Sequence, residues 1–441
     1  MRVLNANLNK SGLGWFILGG IARQNPLFFG YRKPFKCIFE ASCGQVQYLA
    51  GFFVLYQYMK QLRIPYICLV LLMTSAVSAQ PGVKPFGINI CGAEFEEKTI
   101  PGVMGKDYIY PADSDIEYFY QRGLQLLTVP FKWERVQTTP GGPLDRANVD
   151  EMRRVIQYCS DRNIQVVLSM HNFGRYVIGK TEHIVGSPTV PRNLLGEFWS
   201  KLALEFSDLR NVFGYEIMTE PHDMGEYDWF TTAQTTINIL RQVDKKAIVI
   251  ISGDNYASAE KWRQYSDHLK DLVDPIDNLL YDAHCYFDKN YSGRYVESYD
   301  SSGADEYTGV RRVMPFVRWL KDHKKRGYVG EYGVPDNDLR WLTVLDNFLK
   351  YLSENNVNGC YWAAGSRWNK YPLSVQPFVQ EQRPQMEVLL RYLRTAPTIN
   401  SSFNALLPET FLFLPNSTLL PNDKGGVFAP ASIETKIKVK N

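Results

Sequence analysis

No H-E-x-x-H, no paired C-x-x-C and no G-x-S-x-G occurs in these 441 residues. Zinc hydrolysis and a serine nucleophile elbow therefore have no motif to rest on, and neither a metal nor a cofactor is expected. A strong charge of one sign is lacking too. The formal net charge is +3, but residues 1–79 hold eight Lys or Arg against one acidic residue, leaving 41 basic and 45 acidic groups, or −4, beyond them. Nothing in that balance points to nucleic acid. Long hydrophobic runs are missing: the stretches at 11–22 and 46–58 fall short of the roughly 18 residues that a span requires. Cysteine is sparse and has no metal-ligand spacing. Cys91, Cys159, Cys285 and Cys360 follow residue 79, three of them on expected core strands. Buried thiols are the expected state, although a bridge between one pair stays open for an exported chain.

What is present begins with a leader. Met59-Lys60-Gln61-Leu62-Arg63, the apolar run 64–73 and the small residues Ser75-Ala76-Val77-Ser78-Ala79 form the three parts of a secretory signal. The expectation is a start at Met59, a signal peptide over 59–79, a mature chain from Gln80 and a secreted or periplasmic product with no stable membrane insertion after cleavage. Residues 1–58 are read as a non-native upstream extension, with a membrane-associated segment as the alternative. At the other end, 397–441 mixes Pro, Asn, Ser and Thr around one apolar knot at 410–414. That composition predicts a low-order tail or a docking strand.

Between those ends, apolar strand-like runs alternate with amphipathic helical ones. Eight strands are expected at 86–91, 126–131, 165–170, 212–218, 247–252, 279–286, 328–331 and 359–363. Helices are expected near 114–122, 145–162, 193–210, 228–244, 258–272, 309–326, 338–355 and 384–395, the first with Ser114-Asp115-Ile116-Glu117 as a capping box. Eight β-then-α units over 80–396 match the grammar of an α/β protein of the (β/α)8 TIM barrel class, with a doubly wound open sheet as the runner-up. The barrel is favoured because polar and aromatic residues collect just after the strands, and in a barrel those ends meet on one face.

Two local matches carry no function. Residues 174–181 satisfy G-x-x-x-x-G-K-[ST] after a strand, but Gly186, Pro188 and Pro191 interrupt the chain before the next helix, so no helix N-terminus faces a phosphate; the loop is expected in the barrel wall. Residues 288–293 begin like a calcium loop, yet the twelfth position is Tyr299 in place of a bidentate Glu, and a solvated turn is expected.

Two strands end alike. Residues 212–218 lead through Thr219 to Glu220-Pro221-His222, and Tyr328-Val329-Gly330 leads to Glu331-Tyr332-Gly333. Each presents a carboxylate at the sheet's C-terminal edge, where it could equally cap a helix or join an ion pair. Together, two such carboxylates can divide the work of hydrolysing a glycosidic bond. Trp133, Trp362, Trp368 and Tyr286 lie near strand ends and fit sugar stacking, while His171, Asn172 and His284 supply polar contacts.

With those residues assembled, the chain resembles glycoside hydrolase family 5, the cellulase-like retaining β-glycosidases, over about 84–395. Ile217-Met218-Thr219-Glu220-Pro221-His222 is similar to the family's strand-four segment and Gly330-Glu331-Tyr332-Gly333 to its strand-seven segment. The resemblance implies Glu220 as general acid/base, Glu331 as nucleophile, and supporting roles for His171, His284, Tyr286 and Trp362, with Tyr286 bonded to the nucleophile. It implies an endo-acting enzyme, expected as a monomer, on a β-linked polysaccharide or oligosaccharide, whether β-glucan or exopolysaccharide. Two positions depart from the family. Thr219 stands where it keeps Asn, and Thr128, in Thr128-Val129-Pro130-Phe131, stands where it keeps Arg. Both departures touch the subsite of the cleaved sugar, which implies altered recognition or weakened catalysis. The alternative is a carbohydrate-binding protein on a degenerate scaffold.

Overall fold

The computed structural model describes residues 86–379 and 381–395, and the expected leader, extension and tail lie outside them. Eight parallel strands close a barrel in the order β1-β10-β9-β8-β7-β6-β3-β2. They are β1 (Phe86–Ile90), β2 (Leu126–Phe131), β3 (Gln165–Met170), β6 (Val212–Glu216), β7 (Ile248–Ser252), β8 (Leu279–His284), β9 (Gly327–Tyr332) and β10 (Asn358–Ala364). All eight expected strands are present, and closure excludes the open sheet. The runs are legible because parallel barrel strands are covered on both faces and so read as continuous apolar segments. Inside, Leu126, Val167, Ile250, Leu280, Tyr328 and Cys360 pack as one cluster that plugs the barrel. Outside, helices lay apolar stripes on the sheet; Arg146–Ser160 buries Val149, Met152, Val155, Ile156 and Cys159 at helical spacing. Asp145 caps that helix by accepting from Asn148 N, and Asp228 caps Trp229–Leu240 through Thr231 N.

Three local expectations are corrected. The first helix starts at Asp113 with Ala112 at its N-cap, so Ser114 lies inside the first turn and caps nothing. The helix expected at 258–272 is broken into a turn at Trp262–Tyr265 and a 3-10 segment at Asp267–Asp271. Ser266 leaves helical geometry between them, at φ −118 and ψ 3, and the Asp267 carboxylate accepts from Trp319 Nε1 on a neighbouring helix. Residues 174–181 are outside the barrel wall. They form most of a separate hairpin, β4 (Arg175–Ile178) with β5 (Thr181–Ile184), turning at Gly179, whose φ is +66.

One glycine is fixed by close approach. Gly330 N donates to Asp282 Oδ1 at 2.6 Å, and a Cβ at Gly330 would stand 2.6 Å from that oxygen and 2.7 Å from its twin. Gly330→Ala is expected to destabilise the fold by about 1–3 kcal/mol, as overpacked buried positions do. Chemical denaturation would show this as a lower midpoint at unchanged slope.

Candidate active site

The catalytic-side end of the barrel is built by strands whose last residues turn inward together. Glu331 ends the apolar part of β9. Glu220 follows β6 with φ 45, its backbone N donating to Ser252 Oγ on β7 at 3.2 Å. One oxygen of each carboxylate and a ring nitrogen of His284 all lie within 4.8 Å of one another. His284 Nδ1 is 2.7 Å from Glu220 Oε1 and 3.5 Å from Glu331 Oε2. Tyr286 donates its hydroxyl to Glu331 Oε2 at 2.7 Å. Glu331 is 8% exposed and Tyr286 likewise 8%, so the pair sits at the bottom of its site, largely out of water.

That burial sets the charges. Desolvation lifts the Glu331 carboxyl to about 8; His284 pulls it down and the Glu220 charge pushes it up. The Glu331 carboxyl thus resists ionising beside the charge of Glu220. For His284, burial alone would strip the ring of its proton. The charges of Glu331 and Asp282 and the bonds to Asp282 and Glu220 outweigh it, and the imidazole's affinity for its proton ends well above the ordinary value. His171 goes the other way: burial, then the nearby charges of Lys132 and His284, drive it well below. It is a neutral ring, stacked on Trp362 at 5.6 Å and 14°.

The remaining expected contacts divide. Trp362 belongs to the site wall, and Trp368 stacks on Tyr371 at 4.3 Å beside it while Phe95 meets its edge. Trp133 does not line the cleft. It opens a short helical turn that buries the ring completely against Tyr176 and Phe198, with Nε1 donating to Gln137. Asn172 is also corrected: it is buried, accepting from Trp133 N and donating to Glu134, both at 2.8 Å, so its amide braces the loop. Thr219 is fully buried, and its Oγ1 has no partner among the described residues. Thr128 turns into the barrel, where its hydroxyl meets Tyr328 OH at 3.0 Å and Cys360 Sγ at 3.3 Å. Among the described residues, Cys91, Cys159, Cys285 and Cys360 are buried and free. In the turn at 288–293, the Asp288 carboxylate accepts from Gly293 N, Ser292 Oγ and Tyr295 N, so its oxygens serve the turn itself.

Several residues of the site were not singled out from the sequence. Asp282 stands two positions before His284 on β8 and meets its Nε2 at 3.2 Å. Glu216 closes β6 beside it. Asn89 of β1 donates to Gly330 O at 2.8 Å and so steadies the strand that carries Glu331. His222 stacks on Tyr256 at 3.9 Å next to Glu220, with Tyr256 held in a left-handed turn at φ 63. The spacing Asp282-x-His284 was the readable signal, since period two puts both on one strand face. Glu216, Asp282 and His284, and again Glu220, His284 and Glu331, offer donor atoms close enough to enclose a cation. In both sets His284 already sits beside the carboxylates, 2.7 Å from Glu220 and 3.2 Å from Asp282, and we read it as their common partner.

Glu94 lies under the same wall. Gly92 N donates to its Oε2 at 2.8 Å while Oε1 has no partner among the described residues. Burial raises this carboxyl to about 7, against the hydrogen bond from Gly92. Its proton is bound in the folded state from the unfolded value of about 4.5 upward, so the associated stability is complete below that pH and lost as pH rises through 7. Glu94→Gln should therefore gain relative to the parent by an amount of order ~3 kcal/mol between pH 4.5 and 8. Unfolding curves at both pH values measure it.

A closed (β/α)8 barrel with two facing carboxylates at its C-terminal mouth defines the class of O-glycoside hydrolases. Residues 84–367 match the family model described as cellulase, glycosyl hydrolase family 5. The chain belongs to that family. Endo-beta-1,4-glucanase B of Emericella nidulans is 30% identical over 300 residues, covering 67% of this chain and 87% of the fungal one. The crystal structure of Pseudomonas stutzeri endoglucanase Cel5A in complex with cellobiose superposes with a TM-score of 0.69 at 34% identity, covering 73% of this chain and 98% of that one. An endo-beta-1,4-glucanase of Xanthomonas axonopodis pv. citri gives 0.65 at 30% identity, covering 71% and 99%.

Proposed function

We propose that the protein is an exported endo-β-1,4-glucanase that cleaves with retention by double displacement. The supporting observation is the spacing of the pair, with one oxygen of Glu220 and one of Glu331 within 4.8 Å. Retaining enzymes hold their carboxyls roughly 5–5.5 Å apart, whereas inverting ones leave about 6.5–9.5 Å for a water. Glu331 attacks the anomeric carbon, and the C–O bond to the leaving sugar breaks as Glu220 protonates its oxygen. Water, deprotonated by Glu220, then attacks the glycosyl-enzyme ester and frees Glu331. Tyr286 favours this division of labour, because its one hydroxyl proton stabilises an anion on Glu331. Trp362 floors the cleaved sugar's subsite. The names of the relatives support the β-1,4-glucan as substrate, and the leader at 59–79 supports export.

Thr128 and Thr219 favour the second reading, a sugar-binding scaffold that no longer turns over. Residues 80–441 should shorten one polysaccharide in a panel of β-glucans, mannans and exopolysaccharides, and Glu331→Gln should leave the same polymer intact. Binding without shortening by either protein would favour the second reading.

A further inference from the structure

Beneath the reacting pair the barrel interior is polar. On β8, Leu280, Asp282 and His284 follow one another at period two, and Leu280 belongs to the interior plug. Glu216 is on β6, which pairs with β7 and not with β8. Glu216 and Asp282 can therefore meet only across the inside of the barrel. They do so: an oxygen of each and a nitrogen of His284 lie within 4.8 Å of one another. Glu216 is 3% exposed and Asp282 0%. Asp282 Oδ1 accepts from Gly330 N at 2.6 Å, while Oδ2 lies 3.2 Å from His284 Nε2 without a hydrogen bond among the described residues. Glu216 Oε1 has no partner among the described residues, nor has the hydroxyl of Ser169, which lies opposite Glu216 in the β3–β6 register.

Two buried carboxyls in contact cannot both ionise. Asp282 accepts from Gly330 N at one oxygen and has the His284 ring 3.2 Å from the other, whereas Glu216 Oε1 faces no donor, so we place the negative charge on Asp282 and the proton on Glu216. We propose that Glu216 is a positioning residue: as a neutral acid it donates its O–H to Asp282, and Asp282 in turn fixes His284 as an imidazolium whose Nδ1–H faces Glu220 and Glu331. Burial and the Asp282 charge both press the Glu216 carboxyl toward its neutral form. The other groups around this chain are Glu220 above β6, Tyr286 above β8, Glu331 and Tyr328 on β9, Cys360 on β10, and His171 after β3 with Lys132 behind it. Among them only Lys132 brings a permanent positive charge, and it is turned to His171 O and Glu97. His284 is thus the cation that offsets the catalytic carboxylates, and Glu216 sets how firmly it keeps its proton.

The inference rests on Glu220 and Glu331 as the reacting pair, and its test includes a readout that needs no turnover. The ring nitrogen resonances of His284 would be followed by NMR against pH in the full chain, in Glu216→Gln, Glu216→Leu and Asp282→Asn. A Gln amide still donates to Asp282, so Glu216→Gln should titrate as the parent does and keep its pH–rate profile within about twofold at any pH. Leu removes the donor, raises the basicity of Asp282 and should lower the His284 midpoint by about one pH unit or more, a tenfold change in proton affinity. Asp282→Asn, which keeps the side-chain volume, should lower the midpoint further. A shift in Glu216→Gln as large as in Glu216→Leu, or a His284 midpoint that Asp282→Asn leaves unchanged, would overturn the proposal. Loss of turnover in every protein with these titrations intact would instead count against the hydrolase reading alone.

Discussion

Glu331→Gln should lower kcat on β-1,4-glucan by more than about a thousandfold while oligosaccharide binding survives. The amide occupies the same volume but cannot form the ester through which the proposed reaction passes, so the route is closed at its first bond. Its packing cost is small. The partners of the carboxylate are the Tyr286 hydroxyl and the His284 ring, and a Gln carbonyl still accepts from one of them. The parent itself should show an alkaline limb near pH 8. That limb follows from the Glu331 carboxyl being raised to about 8: above it Glu331 no longer holds a proton and the reacting pair carries its full negative charge. Initial rates of reducing-end formation, with isothermal titration of a cello-oligosaccharide, would separate the loss of chemistry from a loss of binding.

Glu220→Gln should give a second large effect with a different signature. General acid catalysis contributes about 10²–10⁴-fold, and a glucan leaving group needs all of it. A dinitrophenyl β-cellobioside has a leaving group that departs without a proton, so its first step should be nearly spared and its second, which needs Glu220 as base, should become slow. A burst of dinitrophenol followed by a slow steady state is the expected trace. Azide, which needs no base, should speed that second phase and yield a β-glycosyl azide. A uniform loss on both substrates, with no burst, would mean that Glu220 supports the fold of the site and does not move the proton.

The barrel was legible because its physics is redundant. The strands carry apolar runs and most are followed by a helix with one apolar stripe, so neither needed a precise boundary to be found. Glu220 and Glu331 were legible for a related reason, since a carboxylate closing an apolar run stands out. Trp133 was not. An aromatic residue just past a strand reads alike whether it lines a cleft or turns back, and here the turn at Trp133–Val136 drives the ring under the hairpin. The broken helix at 258–272 has a tertiary cause, the Asp267 carboxylate being engaged by Trp319 from another helix. Glu216 and Asp282 were hidden inside strands whose buried apolar neighbours mask period two. Their meaning lies in a contact across the barrel, which depends on closure and strand order and not on any local pattern. The two threonines were visible as departures. In the fold Thr128 is absorbed by a hydroxyl pair with Tyr328, while Asn89 clamps the backbone before Glu331.

The stereochemistry of cleavage tests the proposed mechanism most directly. Proton NMR of the anomeric region in the first minutes of cello-oligosaccharide hydrolysis, before mutarotation, reports which anomer is released. Two displacements through Glu331 should release the β-anomer first, with the α-anomer appearing only as the product equilibrates. Initial release of the α-anomer would mean a single displacement by water and would contradict the assignment of Glu331 as nucleophile.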